Sequence, residues 1–276
     1  MPGSDHPITA SNPVRANDIH AMPATDTHGM FRLYQTYLRQ ELDATTVSWM
    51  AAYQGAYGRE WWQTEMMDGW KIVDLILAPE MDVIPEETRK AYFKQAQSTG
   101  MDPQAALTIK ESGTTRVRRI GDAISDEDWQ DHWMRPKLLE QNVGERMVGT
   151  YTLDAECESH VLVDRPPDAS PFTEEDAETF FRALLDFPRI HYWLMLERGL
   201  TAPAERPFSP RECQMVQHLL GPLSEKEIAD AMEISKSTAH SYVVDLYRNL
   251  GVSSRYQMLQ LWLSRAPTAA TKRLEE

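Results

Sequence analysis

The chain has 276 residues and a formal net charge of −14 at pH 7. This length suits two domains with buried cores, and the acidic balance by itself argues against a nucleic-acid-binding protein. The two cysteines, Cys157 and Cys213, are too few for a disulfide framework or for a zinc site of their own.

The sequence predicts a soluble, cytoplasmic protein without a membrane partner. It contains no apolar run long enough to span a bilayer, and residues 1–20 lack the apolar core of a signal peptide. Residues 1–27 are rich in Pro, Ala, Asn, Ser and Asp, a composition that predicts a disordered arm. A flexible tail is expected over residues 267–276.

A sensor or input domain is expected over residues 28–200. The segment from Phe31 to Leu42 has apolar residues at helical spacing and predicts an amphipathic helix. A second helix is predicted from Ala44 to Tyr57. Asp68-Gly69 is a favourable turn pair between segments rich in Trp, Met, Ile and Val, so residues 60–77 are predicted to form a hairpin.

The second half of this domain is predicted to add another strand pair. A helix is expected from Pro85 to Gln97, and a loop-rich section follows to about Arg135. The segments Arg146–Leu153 and Ser159–Asp164 alternate between apolar and polar residues, which is typical of strands.

The end of the domain is predicted to be helical. Thr173 with Asp176 begins a long amphipathic helix, and Pro188 interrupts it. Helices that flank a central antiparallel sheet make an α+β fold. With three short motifs, this layout resembles the GAF-like (PAS-like) input domains: Asp128-Trp129, Val163-Asp164-Arg165 and the run from Phe172 to Asp176.

The resemblance implies control by a small-molecule effector or a partner. Small-molecule sensors bind their ligands in aromatic-lined cavities. For any single tryptophan, filling a core is the favoured alternative. The candidate ligand-binding residues are Trp61, Trp62, Trp70 and Trp129. The Trp, Tyr and Asp set of acyl-homoserine-lactone sensors cannot be aligned here.

After a linker at residues 201–207, residues 208–266 predict an all-α domain of four short helices. Ser209 can cap the first helix, and Gly221 with Pro222 ends it. Ser224 opens the second helix and Ser235 the third, which runs to Leu250. Gly251 lies where a left-handed cap is wanted, and Ser254 opens the fourth helix.

Four motifs follow one another in this domain: Pro-Arg-Glu at 210–212, Leu-Ser-Glu-Lys-Glu-Ile-Ala at 223–229, Ile-Ser-Lys-Ser-Thr-Ala at 234–239 and Leu-Gly-Val-Ser-Ser-Arg at 250–255. In order and spacing they resemble the LuxR-type (GerE-type) helix-turn-helix. The resemblance implies a bacterial transcriptional regulator, not an enzyme, that binds double-stranded DNA as a homodimer and affects RNA polymerase indirectly. A small helical protein-binding domain is the alternative.

The resemblance also assigns residue roles. Four residues match positions that face DNA bases: Thr238, His240, Ser241 and Val244. Four others are candidates for phosphate contacts: Lys236, Tyr242, Arg248 and Arg255. A dimer face on the fourth helix, for which packing within the chain is an equal alternative, would comprise Met258, Leu259, Trp262 and Leu263.

Several positions depart from the family pattern. Glu233 replaces a turn glycine, at a cost of roughly 1–2 kcal/mol if the position is left-handed. Asn249 replaces a lysine near the end of the third helix. Residues 207–276 hold eight Lys or Arg and eight Asp or Glu residues, so the acidic excess lies upstream. A neutral domain should bind DNA weakly, because phosphate contacts carry much of the affinity. An adaptor that has lost DNA binding is therefore the second hypothesis.

Other constellations predict little chemistry. Cys157, Glu158 and His160 are close in sequence, but on a strand Cys157 points away from the other two, so no metal site is expected. His191 is expected to be a structural histidine. The sequence lacks a glycine-rich phosphate loop and a nucleophile elbow, so neither a cofactor nor catalytic residues are predicted.

Overall fold

The computed structural model describes residues 13–54, 68–76, 94–95 and 98–264. Within these ranges, an N-terminal domain of helices and one antiparallel sheet precedes a C-terminal domain made of helices. The α+β fold predicted from the sequence is therefore confirmed. The narrower GAF-like assignment stays a prediction.

The sheet has five strands in the order β2-β1-β5-β4-β3, and every neighbouring pair is antiparallel. The predicted second strand pair is confirmed as the β4–β5 hairpin. The strands are β1 (Thr46–Tyr53), β2 (Lys71–Ile76), β3 (Arg116–Arg119), β4 (Glu145–Asp154) and β5 (Cys157–Arg165).

The helix predicted from Ala44 to Tyr57 is wrong, because Thr46–Tyr53 is strand β1. This strand lies between β2 and β5 and carries apolar residues on both faces. Trp49 is buried on one face, and Ala52 is buried on the other. A strand that is apolar on both sides shows no two-residue alternation, so its pattern is not distinguishable from that of a buried helix.

The predicted hairpin around Asp68-Gly69 is only partly described. Both turn residues have positive φ, 47° and 81°, and the following strand β2 pairs with β1. Residues 60–67 lie outside the described residues, as does most of the helix predicted from Pro85 to Gln97.

The section predicted to be loop-rich up to Arg135 contains short elements instead. Because each spans at most two helical turns, apolar periodicity cannot reveal it, although Asp102 and Ser125 provide N-caps. Besides β3, the elements are α3 (Pro103–Lys110), α4 (Ile120–Ala123), α5 (Asp126–Asp131) and α6 (Met134–Glu140).

The disordered arm predicted over residues 1–27 is wrong for its second half. Helix α1 (Ala16–His20) buries Ile19 in the core, and Asp26 caps helix α2 (Thr27–Glu41). Composition predicted disorder because this polar segment has few apolar anchors, namely Ile19 with the partly buried Val14 and Met22. Residues 1–12 lie outside the described residues.

Three helices cover one face of the sheet: α2, α7 (Glu174–Asp186) and α8 (Pro188–Leu196). The predicted capping box of Thr173 and Asp176 is present, and Pro188 begins α8 after a break. Gly149 lies under Phe180, whose ring would be 2.5 Å from an added Cβ, so this approach requires glycine.

One cluster of buried apolar side chains extends from the sheet into the C-terminal domain. It includes Trp49 in β1, Leu196 at the end of α8 and Phe208 after the linker. The two domains therefore share a continuous core. Within the described ranges, none of the helices has the length and apolarity needed to traverse a bilayer.

Candidate DNA-binding interface

The C-terminal domain has the four helices predicted from its start and stop signals. The capping boxes at Ser209 and Ser224 are both formed, and Ser235 accepts a hydrogen bond from the Thr238 main chain. The helices are α9 (Pro210–Leu220), α10 (Glu225–Ala231), α11 (Lys236–Asn249) and α12 (Arg255–Ser264).

One side of α11 anchors the domain, and its other side is free. Ala239, Val243 and Leu246 are buried against the neighbouring helices. They recur at intervals of three and four residues, so the intervening positions of the helix face outward. A third helix held in this way is the feature that a helix-turn-helix domain presents to DNA.

The four residues expected to face bases lie together on this outward side. Thr238, His240 and Ser241 are exposed, and Val244 has 40% of its surface accessible. We call these four residues the DNA-facing surface, after the role that the sequence predicts for them. Its hydroxyl groups are held locally: Thr238 Oγ1 is 2.8 Å from Ser235 Oγ, and Ser241 donates to the Ser237 carbonyl at 3.1 Å.

Glu225 contacts this surface, although the sequence did not predict it as a candidate. Its Oε1 atom lies 3.1 Å from Nδ1 of His240. Glu225 is the first residue of α10, so the contact joins two helices that pack on each other. The motif did not indicate this contact, because Glu225 stands at a variable position between the two motif residues Ser224 and Lys226.

The candidates for phosphate contacts have different environments. Lys236 is exposed at the start of α11, and Tyr242 is half-buried. Arg248 is exposed, and its Nη1 atom lies 2.9 Å from Asp245 Oδ1.

Arg255 faces the interior of its own domain. Its guanidinium group is half-buried and donates to main-chain carbonyls around the C-terminal end of α9, including Leu219 at 2.8 Å and Gly221. Such bonds satisfy carbonyls that a helix end leaves unpaired. The geometry therefore favours a structural role for Arg255 over the expected phosphate contact.

The expected dimer face is largely used within the chain. Met258 and Trp262 are fully buried and belong to the continuous core. Leu259 is half-buried, while Leu263 is 60% exposed. The alternative, packing within the chain, therefore holds for Met258 and Trp262. Tyr256 on α12 is a further large side chain that is exposed, at 71%. The sequence did not predict it as part of the dimer face.

The tryptophan candidates do not share a cavity among the described residues. Trp70 packs with Ala52 and Ile72 beside β1, whereas Trp129 packs with Ile120 and Leu138 in a separate cluster. Trp61 and Trp62 lie outside the described residues.

The polar residues of β5 have structural partners. Burial raises the pKa of the Cys157 thiol well above its ordinary value. Glu158 forms a buried ion pair with Arg116, at 3.0 Å. Burial lowers the pKa of His160 to about 4, and its Nδ1 atom lies 2.9 Å from Thr150 Oγ1. The described residues include no cluster of three metal-ligating side chains.

His191 is fully buried in α8. Its Nδ1 atom lies 2.7 Å from Ser159 Oγ, and its ring stacks on Tyr151. Burial lowers the pKa of His191 to about 3. These contacts agree with the structural role expected from the sequence.

Four short helices with an outward third helix define the C-terminal domain as a helix-turn-helix domain. Residues 206–262 match the family described as bacterial regulatory proteins, luxR family. The C-terminal domain belongs to this LuxR family, as its motifs indicated. LuxR-type regulators are not enzymes, which agrees with the expectation that this chain has no catalytic role.

Three solved structures resemble the chain at low TM-scores. A structure of SdiA in complex with octanoyl-rac-glycerol has 12% identity and a TM-score of 0.44, with 90% of this chain and 91% of that chain covered. Escherichia coli SdiA has 14% identity and a TM-score of 0.43, with coverage of 90% and 93%. The VqsR LBD domain from Pseudomonas aeruginosa has 15% identity and a TM-score of 0.42, with coverage of 64% and 94%. No curated protein sequence matches the chain.

Proposed function

We propose that the chain is a transcriptional regulator that binds a specific inverted-repeat site in double-stranded DNA as a homodimer. Residues 208–266 would read the DNA and affect RNA polymerase indirectly. The domain before the linker, residues 28–200 with the preceding helix α1, would receive a small-molecule effector or a partner protein. The observation that supports this most directly is the outward-facing leading half of α11 in a LuxR-type domain.

The DNA-facing surface has the chemistry needed to discriminate bases. The hydroxyl groups of Thr238 and Ser241 can donate to or accept from base edges, and the His240 ring can do either, depending on its protonation. Val244 offers an apolar contact for the methyl group of thymine. Lys236 and Arg248 flank this surface along α11 and are the proposed cationic contacts to the phosphates.

The small number of cations predicts weak salt dependence. Two phosphate contacts per subunit give four in a dimer, and the slope of log K against log salt should then be about −4. The measurement is fluorescence anisotropy of full-length protein on a site selected from a randomised DNA pool, repeated between low and physiological salt. Recovery of no sequence from the pool would reject the proposed regulator.

A protein-interaction adaptor remains the second candidate function. It is favoured by the pairing of Arg248 with Asp245 and by the inward direction of Arg255, which both reduce the positive charge offered to DNA. The double variant His240→Ala, Arg248→Ala distinguishes the two. For a regulator, the affinity for its selected site should fall more than tenfold, since one base contact and one phosphate contact disappear. An adaptor would retain its partner unchanged.

A further inference from the structure

The linker is fastened to the end of the DNA-facing helix. Asn249 is the last residue of α11 and is only 5% exposed. Its Oδ1 atom accepts hydrogen bonds from the main-chain N–H groups of Glu205, at 2.9 Å, and Arg206, at 3.1 Å. Its Nδ2 atom donates to the Arg206 carbonyl at 3.1 Å. The Asn249 amide group therefore binds two consecutive linker residues, with its oxygen as acceptor and its nitrogen as donor.

A second bond fastens the same linker residue to α9. The guanidinium group of Arg206 makes a bidentate pair with Glu212, with Nη2–Oε1 at 2.6 Å and Nη1–Oε2 at 3.1 Å. Burial raises the pKa of Glu212, but hydrogen bonds from Arg206 and Ser209 outweigh it and lower the pKa overall. The linker is thus attached to the first and third helices of the DNA-binding domain.

The residue that follows the linker, Phe208, is bonded to the N-terminal domain. The Phe208 N–H donates to the Arg198 carbonyl at 2.8 Å. Arg198 lies over the Trp49 ring, 4.4 Å from its centroid, and its Nε atom is 2.5 Å from Asp74 Oδ2 in β2. Gly199 has a φ of 65°, and a Cβ there would be 2.6 Å from the Arg206 carbonyl oxygen. The chain reversal after α8 therefore fits closely against the linker.

We propose that Asn249 is a positioning residue that makes the N-terminal domain and the DNA-facing helix move as one body. Its bonds connect α11 to a linker that the sheet holds through Arg198. The LuxR-type pattern has lysine at this position, and a lysine ammonium group has no acceptor for the N–H groups of Glu205 and Arg206. Asparagine here replaces a cation near DNA with hydrogen bonds from α11 to the linker.

Amide hydrogen exchange of the full-length protein without DNA tests this inference. In Asn249→Ala and Asn249→Lys, the Arg206 amide should exchange about tenfold faster, because it loses the Oδ1 acceptor. The Glu205 amide should change less, because its N–H also donates to the main-chain carbonyl of residue 249 at 3.1 Å, which both variants keep. Asn249→Asp keeps the acceptor for the Arg206 N–H but loses the donor to the Arg206 carbonyl, so its rate should lie between those of the wild type and Asn249→Ala. The matched control is Val243→Ala, which removes buried volume from the same helix without touching the linker.

A distance measurement gives a second readout, which a merely stabilising residue would not change. Spin labels are placed at Glu175→Cys in α7 and Lys226→Cys in α10, both exposed. The native Cys157 is buried, and Cys213, which is only half-buried, is replaced with Ser in all labelled proteins. Asn249→Lys should broaden the distance distribution between the two labels, and Val243→Ala should leave it narrow.

Unchanged exchange and distances in the Ala and Lys variants would overturn the inference. The same result in Val243→Ala as in Asn249→Ala would also overturn it, because the effect would then be one of stability. Both measurements are made without DNA, so a failure of the proposed DNA binding does not affect them.

Discussion

The contact between His240 and Glu225 determines what the histidine can offer to a base. A carboxylate only accepts hydrogen bonds, so the Nδ1 atom of His240 must carry the proton that it shares with Glu225. In the neutral ring, Nε2 is then an acceptor. An acceptor selects the amino groups of cytosine or adenine in the major groove. In the proposed DNA complex, Glu225 would therefore act on base preference through the tautomer of His240.

Replacing Glu225 with Gln should change this preference. The glutamine amide can donate to Nδ1, which leaves Nε2 as a donor suited to the acceptors of guanine. Selection from a randomised DNA pool should show cytosine or adenine giving way to guanine at one position per half-site. Asp230→Asn, an exposed change of equal charge on the same helix, is the control. Identical selected sites for Glu225→Gln and the wild type would contradict the expected change of base preference through His240.

Backbone conformation at the ends of α10 and α11 gives a prediction at the scale of the elements. Glu233, in the turn after α10, has a φ of 54°, and Gly251, after α11, has a φ of 65°. The condition stated for Glu233, a left-handed backbone, is therefore met. Glycine adopts this conformation without the steric cost that a Cβ brings.

Glu233→Gly should therefore raise the free energy of unfolding by about 1 kcal/mol, and Gly251→Ala should lower it by about 1–2 kcal/mol. A Cβ at Gly251 meets no atom within 4 Å, so its effect isolates the backbone strain. Urea denaturation of the full chain measures both changes. Glu233→Ala is the control and should gain nothing, because alanine keeps the strain. Equal gains in the Gly and Ala variants would refute the backbone explanation.

The two domains were predictable from the sequence to different degrees. In the C-terminal domain each helix starts at its own serine, so local signals such as Ser209 and Ser224 located the elements correctly. Strand β1 was mistaken for a helix because neighbouring strands and helices, not its own pattern, determine its conformation. Local signals did not reveal the partners of Asn249 and Glu225 either, since these contacts join separate elements.

At the scale of the whole molecule, the continuous core predicts that both domains unfold together. Phe208 lies where the two domains meet: it is buried, and its ring would be 2.8 Å from a Cβ at Gly199. Trp49 and Trp262 are buried in the N-terminal and C-terminal domains, so fluorescence reports on both. Urea should unfold the wild type in one cooperative transition.

Phe208→Ala should separate this transition into two. Removing a buried phenylalanine costs about 3–5 kcal/mol, and this ring lies where the two domains meet. The control is Phe172→Ala, which truncates a buried ring packed on Arg165 inside the N-terminal domain. This control should lower the midpoint and keep one transition. Single-tryptophan proteins that retain only Trp49 or only Trp262 can report each domain separately. If Phe208→Ala still unfolds at one midpoint in both single-tryptophan proteins, contacts other than Phe208 couple the domains. Such contacts include the hydrogen bond between Glu205 and Asn249 and the ion pair between Arg206 and Glu212.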